Sequence, residues 1–469
     1  MPLILPGNVA SALGGAYEVA NSCRFNDGDS AYMHKTPSSD GNRRTFTFSF
    51  WVKRGELTSH NPIAEVYSSG ENVSQFYFNA GDQFTWYESQ TSNKINLTTN
   101  AVQRDPNAWY HIVVKVDTTE STNTDRVKIY INNELQTITS GSNTYPDQNF
   151  QSYMNSTHDA IEIGRTQYNS NQFDGYLAEV CMIDGSALAP SSFGEADEDS
   201  PTIWKPIDVS GLTFGTNGHY LDFEASGNLG NDANGGTDWT EENLAATDQS
   251  TDTCTNNFCV MNSLDNFYNG ATFSEGNCQV VTAASPSSYN VGTFGVSSGK
   301  WFWEVEADSF TTGSDKAFIG ISSTQISSNY IGQNAHDWSF TNTGNLINND
   351  EEENGSYGSA WSTGDIIGVA LNLDDNELKF YVNGTVQNSG TAVSITAAAS
   401  TPLGAYFPAA GDQSGSASHT VTTKWNFGAS YPAAISSGNA DGNGYGNFEY
   451  AVPSGFFSLC TKNLAEYGG

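Results

Sequence analysis

The run Thr45-Phe46-Thr47-Phe48-Ser49-Phe50-Trp51-Val52 is patterned with a period of two through Phe50, so Phe46, Phe48 and Phe50 fall on one face of an extended segment. It predicts a half-buried strand. Ile112, Val114 and Val116 share a face in Trp109 to Asp117, as do Val127, Ile129 and Ile131 in Arg126 to Asn132, which predicts a hairpin around a polar loop. The pattern returns in the second half of the chain. There Ile367, Val369, Leu371 and Leu373 are answered by Leu378, Phe380 and Val382, and Asn383-Gly384 supplies a type I′ turn signal. The two return strands end alike, as Tyr130-Ile131-Asn132 and Tyr381-Val382-Asn383. Two architecturally similar sandwiches are expected.

The chain has 469 residues, more than the roughly 250 to 300 that one core serves. Its 12% aromatic content and 46 Gly suit short strands joined by tight turns. Against 52 Asp plus Glu stand 18 Lys plus Arg, and a net charge of −34 repels phosphate backbones and anionic lipid. Nucleic acid is not an expected partner. No apolar stretch reaches the roughly 18 residues of a membrane helix, so membrane insertion is not expected either. Leu3-Ile4-Leu5 is too short an apolar run for a cleaved signal, and no basic residue precedes it. Cys23, Cys181, Cys254, Cys259, Cys278 and Cys460 are scattered, unlike a disulfide scaffold, and are expected to be mostly buried thiols.

Between the patterned halves, residues 196–257 lose the alternation and become rich in Gly, Asn, Asp and Thr. They read as a connector that keeps some order through Tyr220, Phe223 and Trp239. A second Gly-rich stretch, Asp441 to Gly446, precedes a C-terminal tail whose Phe456-Phe457 should dock on something.

Phe46 to Lys53, Trp109 to Val114, and Phe173-Asp174-Gly175-Tyr176-Leu177-Ala178-Glu179-Val180 resemble laminin-G-like, concanavalin-A-like domains. Gly299-Lys300-Trp301-Phe302-Trp303-Glu304-Val305, Gly364 to Val369 and Trp425-Asn426-Phe427-Gly428 are similar to a SPRY domain, also a concanavalin-A-like sandwich. The connector around Tyr220-Leu221-Asp222-Phe223 and Gly236 to Thr240, and the ending Pro453 to Leu464, resemble segments of marine bacteriophage structural proteins. The resemblance implies an all-β chain of two concanavalin-A-like antiparallel sandwiches of the jelly-roll type. Its parts would be an N-terminal docking arm (1–20), a laminin-G-like sandwich (21–195), the Gly/Asn/Asp-rich connector (196–257), a SPRY sandwich (258–430) and a tail (431–469).

Some enzymes of the concanavalin-A-like fold carry a Glu-x-Asp-x-x-Glu run on one strand, whose paired carboxylates flank a glycosidic bond. Glu304 and Glu306 share a face, but no Asp follows the first by two and no further Glu closes the run. Both are expected on the solvated face of an amphipathic strand, and no catalytic residue is assigned. The seven histidines form no close pair in sequence and read as lone polar or core residues. Calcium is the one metal left open, through Asn26-Asp27-Gly28-Asp29, Asn372 to Asn376 and Asn349 to Glu353; none fits an EF-hand, and Asp and Asn are ordinary turn residues. Sugar recognition uses aromatic platforms on rims, because pyranose faces stack on rings. The candidates are Trp86, Tyr87, Tyr168, Trp338 and Tyr357.

These features together predict a non-enzymatic phage virion protein, a tail fibre or spike exposed on the particle and contacting a host-surface glycan or protein. Expected partners are other virion proteins, through the N-terminal arm, and copies of the chain itself, as a trimer. A capsid decoration or neck protein is the alternative, and a secreted polysaccharide-degrading enzyme the third.

Overall fold

A computed structural model describes residues 17–468 apart from 199, 267–268, 285–286, 311–315, 325–329, 354–356 and 414–418. Most of the N-terminal arm expected over 1–20 therefore lies outside the described residues. Two compact units meet in sequence between Thr255 and Asn256. Among the described residues regular structure is almost entirely antiparallel strand, with a single α-helix at Thr461–Tyr467.

In the first unit one sheet runs, in spatial order, through Glu134–Leu135, Val127–Ile131, Trp109–Asp117, Thr45–Arg54, Gly175–Asp184, Ser22–Phe25 and Gln249–Ser250. The other runs through Ile138–Thr144, Asn93–Thr99, Phe84–Ser89, Asn72–Phe78, Asn61–Ser69, Ile161–Ile163, Tyr32–Lys35 and Thr240–Glu242. Their facing sides share one core. Phe48 meets Phe76 at 5.3 Å between ring centroids, and Trp86 meets Phe76 at 5.3 Å and Phe46 at 6.2 Å.

Thr45–Arg54 is buried on both faces, not one as its alternation suggests. The later chain covers the far side. Phe193, Val209, Phe214 and Tyr220 pack with Cys181 and Ile183, while Trp51 packs with Val19, Trp109 and Tyr176. Residues 196–257 are accordingly more than a connector. His219–Leu221 pairs with Gly175–Asp184, Thr240–Glu242 with Tyr32–Lys35, and Gln249–Ser250 with Ser22–Phe25. Their few apolar residues fill the core, and the small polar residues between them make the turns.

In the second unit one sheet centres on Lys300–Phe310, flanked by Ile366–Asn372 and Val421–Asn426; the other centres on Lys316–Ser322, flanked by Asp337–Thr341 and Phe407–Gln413. Trp301, Trp303 and Val305 pack with Ile319, Ile321 and Phe340 between them. The outward Phe302 is covered by Phe448 from the C-terminal segment, at 5.3 Å. The tail docks on its own unit. Phe457–Ser458 lies parallel to Lys300–Phe310, pairing Phe457 with Trp301, and the Phe457 ring stacks on Tyr467 of the helix at 3.9 Å.

The matching Tyr130-Ile131-Asn132 and Tyr381-Val382-Asn383 endings have one physical cause. Asn132-Asn133 and Asn383-Gly384 take positive φ (48° and 68°, 47° and 74°), as a type I′ turn requires. Each first Asn also accepts, through Oδ1, a backbone N–H of the preceding strand, His111 at 2.8 Å and Ile366 at 2.9 Å. At Gly384 a Cβ would also lie 2.6 Å from the Tyr450 ring.

Candidate functional site

Cross-strand register aligns seven residues in a row on the outer side of the second sheet of the first unit. They run Asn96, Tyr87, Gln75, Glu65, Glu162, His34 and Thr240, one per strand. The period of two that turns Phe84 and Trp86 inward turns Tyr87 outward. Tyr67 stands one step along on Asn61–Ser69, again outward and half-buried.

A short hairpin, Arg165–Thr166 with Asn171–Gln172, brings Tyr168 over this row. Two glutamates hold it there. Glu65 Oε1 accepts the Gln167 N–H at 2.6 Å and the Tyr168 N–H at 3.2 Å. Glu162 accepts both Arg165 Nε (2.8 Å) and Nη2 (2.7 Å), and Gln167 Nε2 (2.7 Å). Arg165 in turn lies 3.5 Å over the Tyr32 ring. The result is a half-buried Tyr168 ring tilted 57° to Tyr67 at 5.8 Å, with Tyr87 and the exposed Glu71 close by. Burial, then Glu71 and Tyr87, push the Tyr168 hydroxyl up from the ordinary tyrosine range.

Glu65 is fully buried beneath the hairpin, and its Oε2 has no partner; Gln75 is its cross-strand neighbour, with its side chain near the His60 ring. Burial, reinforced by the Glu162 charge and opposed by the two backbone N–H groups, pushes the Glu65 carboxyl up to about 7. Glu65 and Glu162 therefore position the ring-bearing loop, and the rings themselves are what a ligand meets. Three partly exposed tyrosines beside Asn96 can stack on apolar ligand faces and exchange hydrogen bonds with hydroxyls.

Of the five aromatic residues nominated from the sequence, Tyr87 and Tyr168 come together here. The other three are core. Trp86 is fully buried and donates Nε1–H to Ser74 Oγ at 3.1 Å. Trp338 packs edge-on to Tyr406 at 5.9 Å, and Tyr357 lies between Phe340 and Phe380 at 5.4 and 5.9 Å. Adjacent residues of a strand point to opposite faces, so Trp86 and Tyr87 could not both have faced a ligand. Tyr67, Glu65, Gln75, Glu162 and Arg165 were not nominated. A charge between apolar neighbours in Ala64-Glu65-Val66 was the one signal for them.

Glu304 is also displaced from its expected solvated face. It is buried, accepting the Glu449 and Tyr450 N–H groups at 2.9 and 2.8 Å and Asn426 Nδ2 at 3.3 Å, and burial pushes its carboxyl up to about 7. Glu306 accepts the Tyr431 hydroxyl. Two of the carboxylates weighed for calcium hold turns: Asp29 accepts Asn26 Nδ2 at 2.9 Å, and Asp375 accepts Asn372 Nδ2 at 2.8 Å and Lys300 Nζ at 3.3 Å. The side chains of Glu351 to Glu353, in the third cluster, lie outside what the structure describes. Among the described residues no three His, Cys, Asp or Glu side chains come together as a metal site. His111 pairs with Ser49 Oγ at 2.9 Å, but both are buried and its other ring nitrogen accepts Trp204 Nε1–H at 2.9 Å, which leaves no oriented base.

Residues 26–191 match the family model of the concanavalin A-like lectin/glucanases superfamily, and residues 300–428 match the SPRY domain. The chain carries both domains. Apart from Thr240, the row and its tyrosines lie within the first. No curated protein matches the chain. Among solved structures it is similar to the SPRY domain of human HERC1, at 17% identity over 31% of this chain and 86% of that one, TM-score 0.26. It is also similar to stonustoxin, at 21% identity over 36% of this chain and 27% of that one, TM-score 0.26. A third is a "putative carbohydrate binding protein" from Bacteroides ovatus, at 17% identity over 48% of this chain and 59% of that one, TM-score 0.32. The chain thus spans less than two thirds of the last two.

Proposed function

We propose that this is a non-enzymatic attachment protein whose first sandwich binds a neutral glycan on a host cell through Tyr67, Tyr87 and Tyr168. The observation that carries the reading is the grouping of three partly exposed rings on one sheet face, one of them on a loop tied down by two buried glutamates. Fixed rings lose little entropy on stacking against a sugar. Glu71 and Glu162 outnumber Arg165 around them, so an anionic sugar would be repelled and a neutral one accepted.

The resemblance of residues 220–223, 236–240 and 453–464 to marine phage structural segments supports a place on the virion surface. A trimer docked through its N-terminal arm would then turn weak single sites into firm attachment. The test is binding of the pure protein, presented as a multimer, to susceptible and resistant cells. Selective binding to susceptible cells, competed by their neutral polysaccharide and reduced about tenfold or more in Tyr168→Ala and Tyr87→Ala, is expected. Equal binding to both cell types would favour a decoration role. Competition by a surface protein instead of polysaccharide would move the receptor out of the glycan class.

A further inference from the structure

In the first unit, residues 215–219 and 234–237 close a cleft of about 270 Å³ against Lys35–Ser38 and the side chains of Met154 and Met182. His219 lines it. The ring is only 2% exposed, is held by the Trp239 edge at 4.8 Å and by Phe48 at 6.4 Å, and gives one nitrogen to the Asn217 backbone carbonyl. Its Nε2 has no partner. Burial first, and the Lys35 ammonium second, hold the His219 pKa down to about 4, so the ring is neutral at ordinary pH. With Nδ1 carrying the proton for Asn217, Nε2 keeps a bare lone pair on a ring that lines the cleft, and a buried acceptor left empty is costly.

The charges nearby cancel. Lys35 Nζ meets Asp232 Oδ2 at 3.1 Å, and Asp232 Oδ1 accepts the Tyr220 and Asn234 N–H groups at 3.0 and 3.2 Å. An anion would set its lone pairs against that of Nε2. A cation would be buried without a free counter-charge. A metal ion would find one nitrogen and, among the described residues, no group of three metal-ligating side chains. What fits is a neutral donor with apolar faces for Met154 and Met182. We propose that this cleft binds a neutral, hydroxyl-bearing small molecule of polyol or monosaccharide size, one hydroxyl of which donates to His219 Nε2. The site is separate from the tyrosine face and stands or falls without it.

The experiment uses the full chain labelled with ¹⁵N-histidine and follows the ring nitrogens while glycerol, D-glucose or sodium phosphate is added. Expected is a saturable shift of the His219 Nε2 resonance with glycerol or D-glucose and none with phosphate. Thr216, exposed at the cleft, gives the blocking variant: Thr216→Trp should weaken the binding about tenfold or more while the other histidine resonances stay in place. His219→Phe should abolish it, and Tyr87→Ala with Tyr168→Ala should leave it unchanged. No saturable shift with either probe would leave the cleft to water and overturn the proposal. So would a shift with phosphate alone, or undiminished binding in Thr216→Trp.

Discussion

Lys53 Nζ and Asp252 Oδ2 meet at 2.6 Å with both side chains entirely buried. Lys53 lies on the strand that centres the first sheet, and Asp252 lies near the end of the segment whose composition reads as a connector. Asp252 also accepts Trp109 Nε1–H at 3.1 Å, and its carbonyl accepts Ser22 Oγ–H at 2.6 Å. Removing one partner of such a pair leaves a buried charge without compensation. Asp252→Ala should therefore cost about 3 to 5 kcal/mol, measured by urea unfolding of the full chain. A loss below about 1 kcal/mol would mean that the segment merely lies against the sandwich.

Trp86 and Tyr168 should separate packing from binding. Trp86 fills the core, so Trp86→Ala should cost about 3 to 5 kcal/mol and leave the affinity of the protein that remains folded intact. Tyr168 sits on a surface loop whose anchors are backbone N–H groups, which Tyr168→Ala keeps; its stability should change by no more than about 0.5 kcal/mol while glycan binding falls. Thermal unfolding and cell binding of the two variants, read side by side, check this. The reverse ranking would place the ligand elsewhere.

Much of the fold was legible because the period of two survives in the strands at 45–52, 109–116 and 366–382, and because Asn383-Gly384 names its own turn. The covered far side of Thr45–Arg54 was not. A strand buried on both faces can still alternate, since Thr47, Ser49 and Lys53 find polar partners under the cover that an apolar count overlooks. Residues 196–257 misled for a related reason: Tyr220, Trp239 and Asp252 are sparse anchors in a turn-rich stretch. At the site, the sequence shows that Trp86 and Tyr87 must part, but not which faces inward. The row from Asn96 to Thr240 depends on register between strands far apart in the chain, and no local pattern carries that.

The C-terminal segment hangs on Asp441. Its Oδ2 accepts Ser458 N–H (2.9 Å), Ser458 Oγ–H (2.8 Å) and Asn463 Nδ2 (2.8 Å), while Oδ1 accepts the Asn443 and Tyr445 N–H groups. Asp441→Ala should release Phe457–Ser458 from the edge of Lys300–Phe310 and cost about 2 to 3 kcal/mol. Hydrogen exchange of residues 457–467 should rise well above that of Ile366–Asn372. Unchanged protection of the C-terminal helix would show that the Phe457 and Tyr467 rings suffice to hold it.

Glu65 ties stability to pH with a sign opposite to that of a salt-bridged carboxylate. Its pKa is about 7 in the folded chain, against about 4.3 when unfolded, so the folded state binds the proton more tightly. The stability this adds is fully present below the unfolded pKa, falls as pH rises, and is gone above about 7. Glu65→Gln imitates the protonated form: its carbonyl keeps the Gln167 and Tyr168 N–H groups. The variant should be more stable than the parent at pH 8, on the order of 1 to 3 kcal/mol, with the difference shrinking toward pH 5. Glu65→Ala, which removes the acceptor altogether, should be less stable than Glu65→Gln at both pH values and should loosen the Tyr168 loop. Urea unfolding of the three proteins at pH 5 and pH 8 decides it. Parallel pH dependence in the parent and Glu65→Gln would mean that the buried carboxyl is already satisfied as an anion.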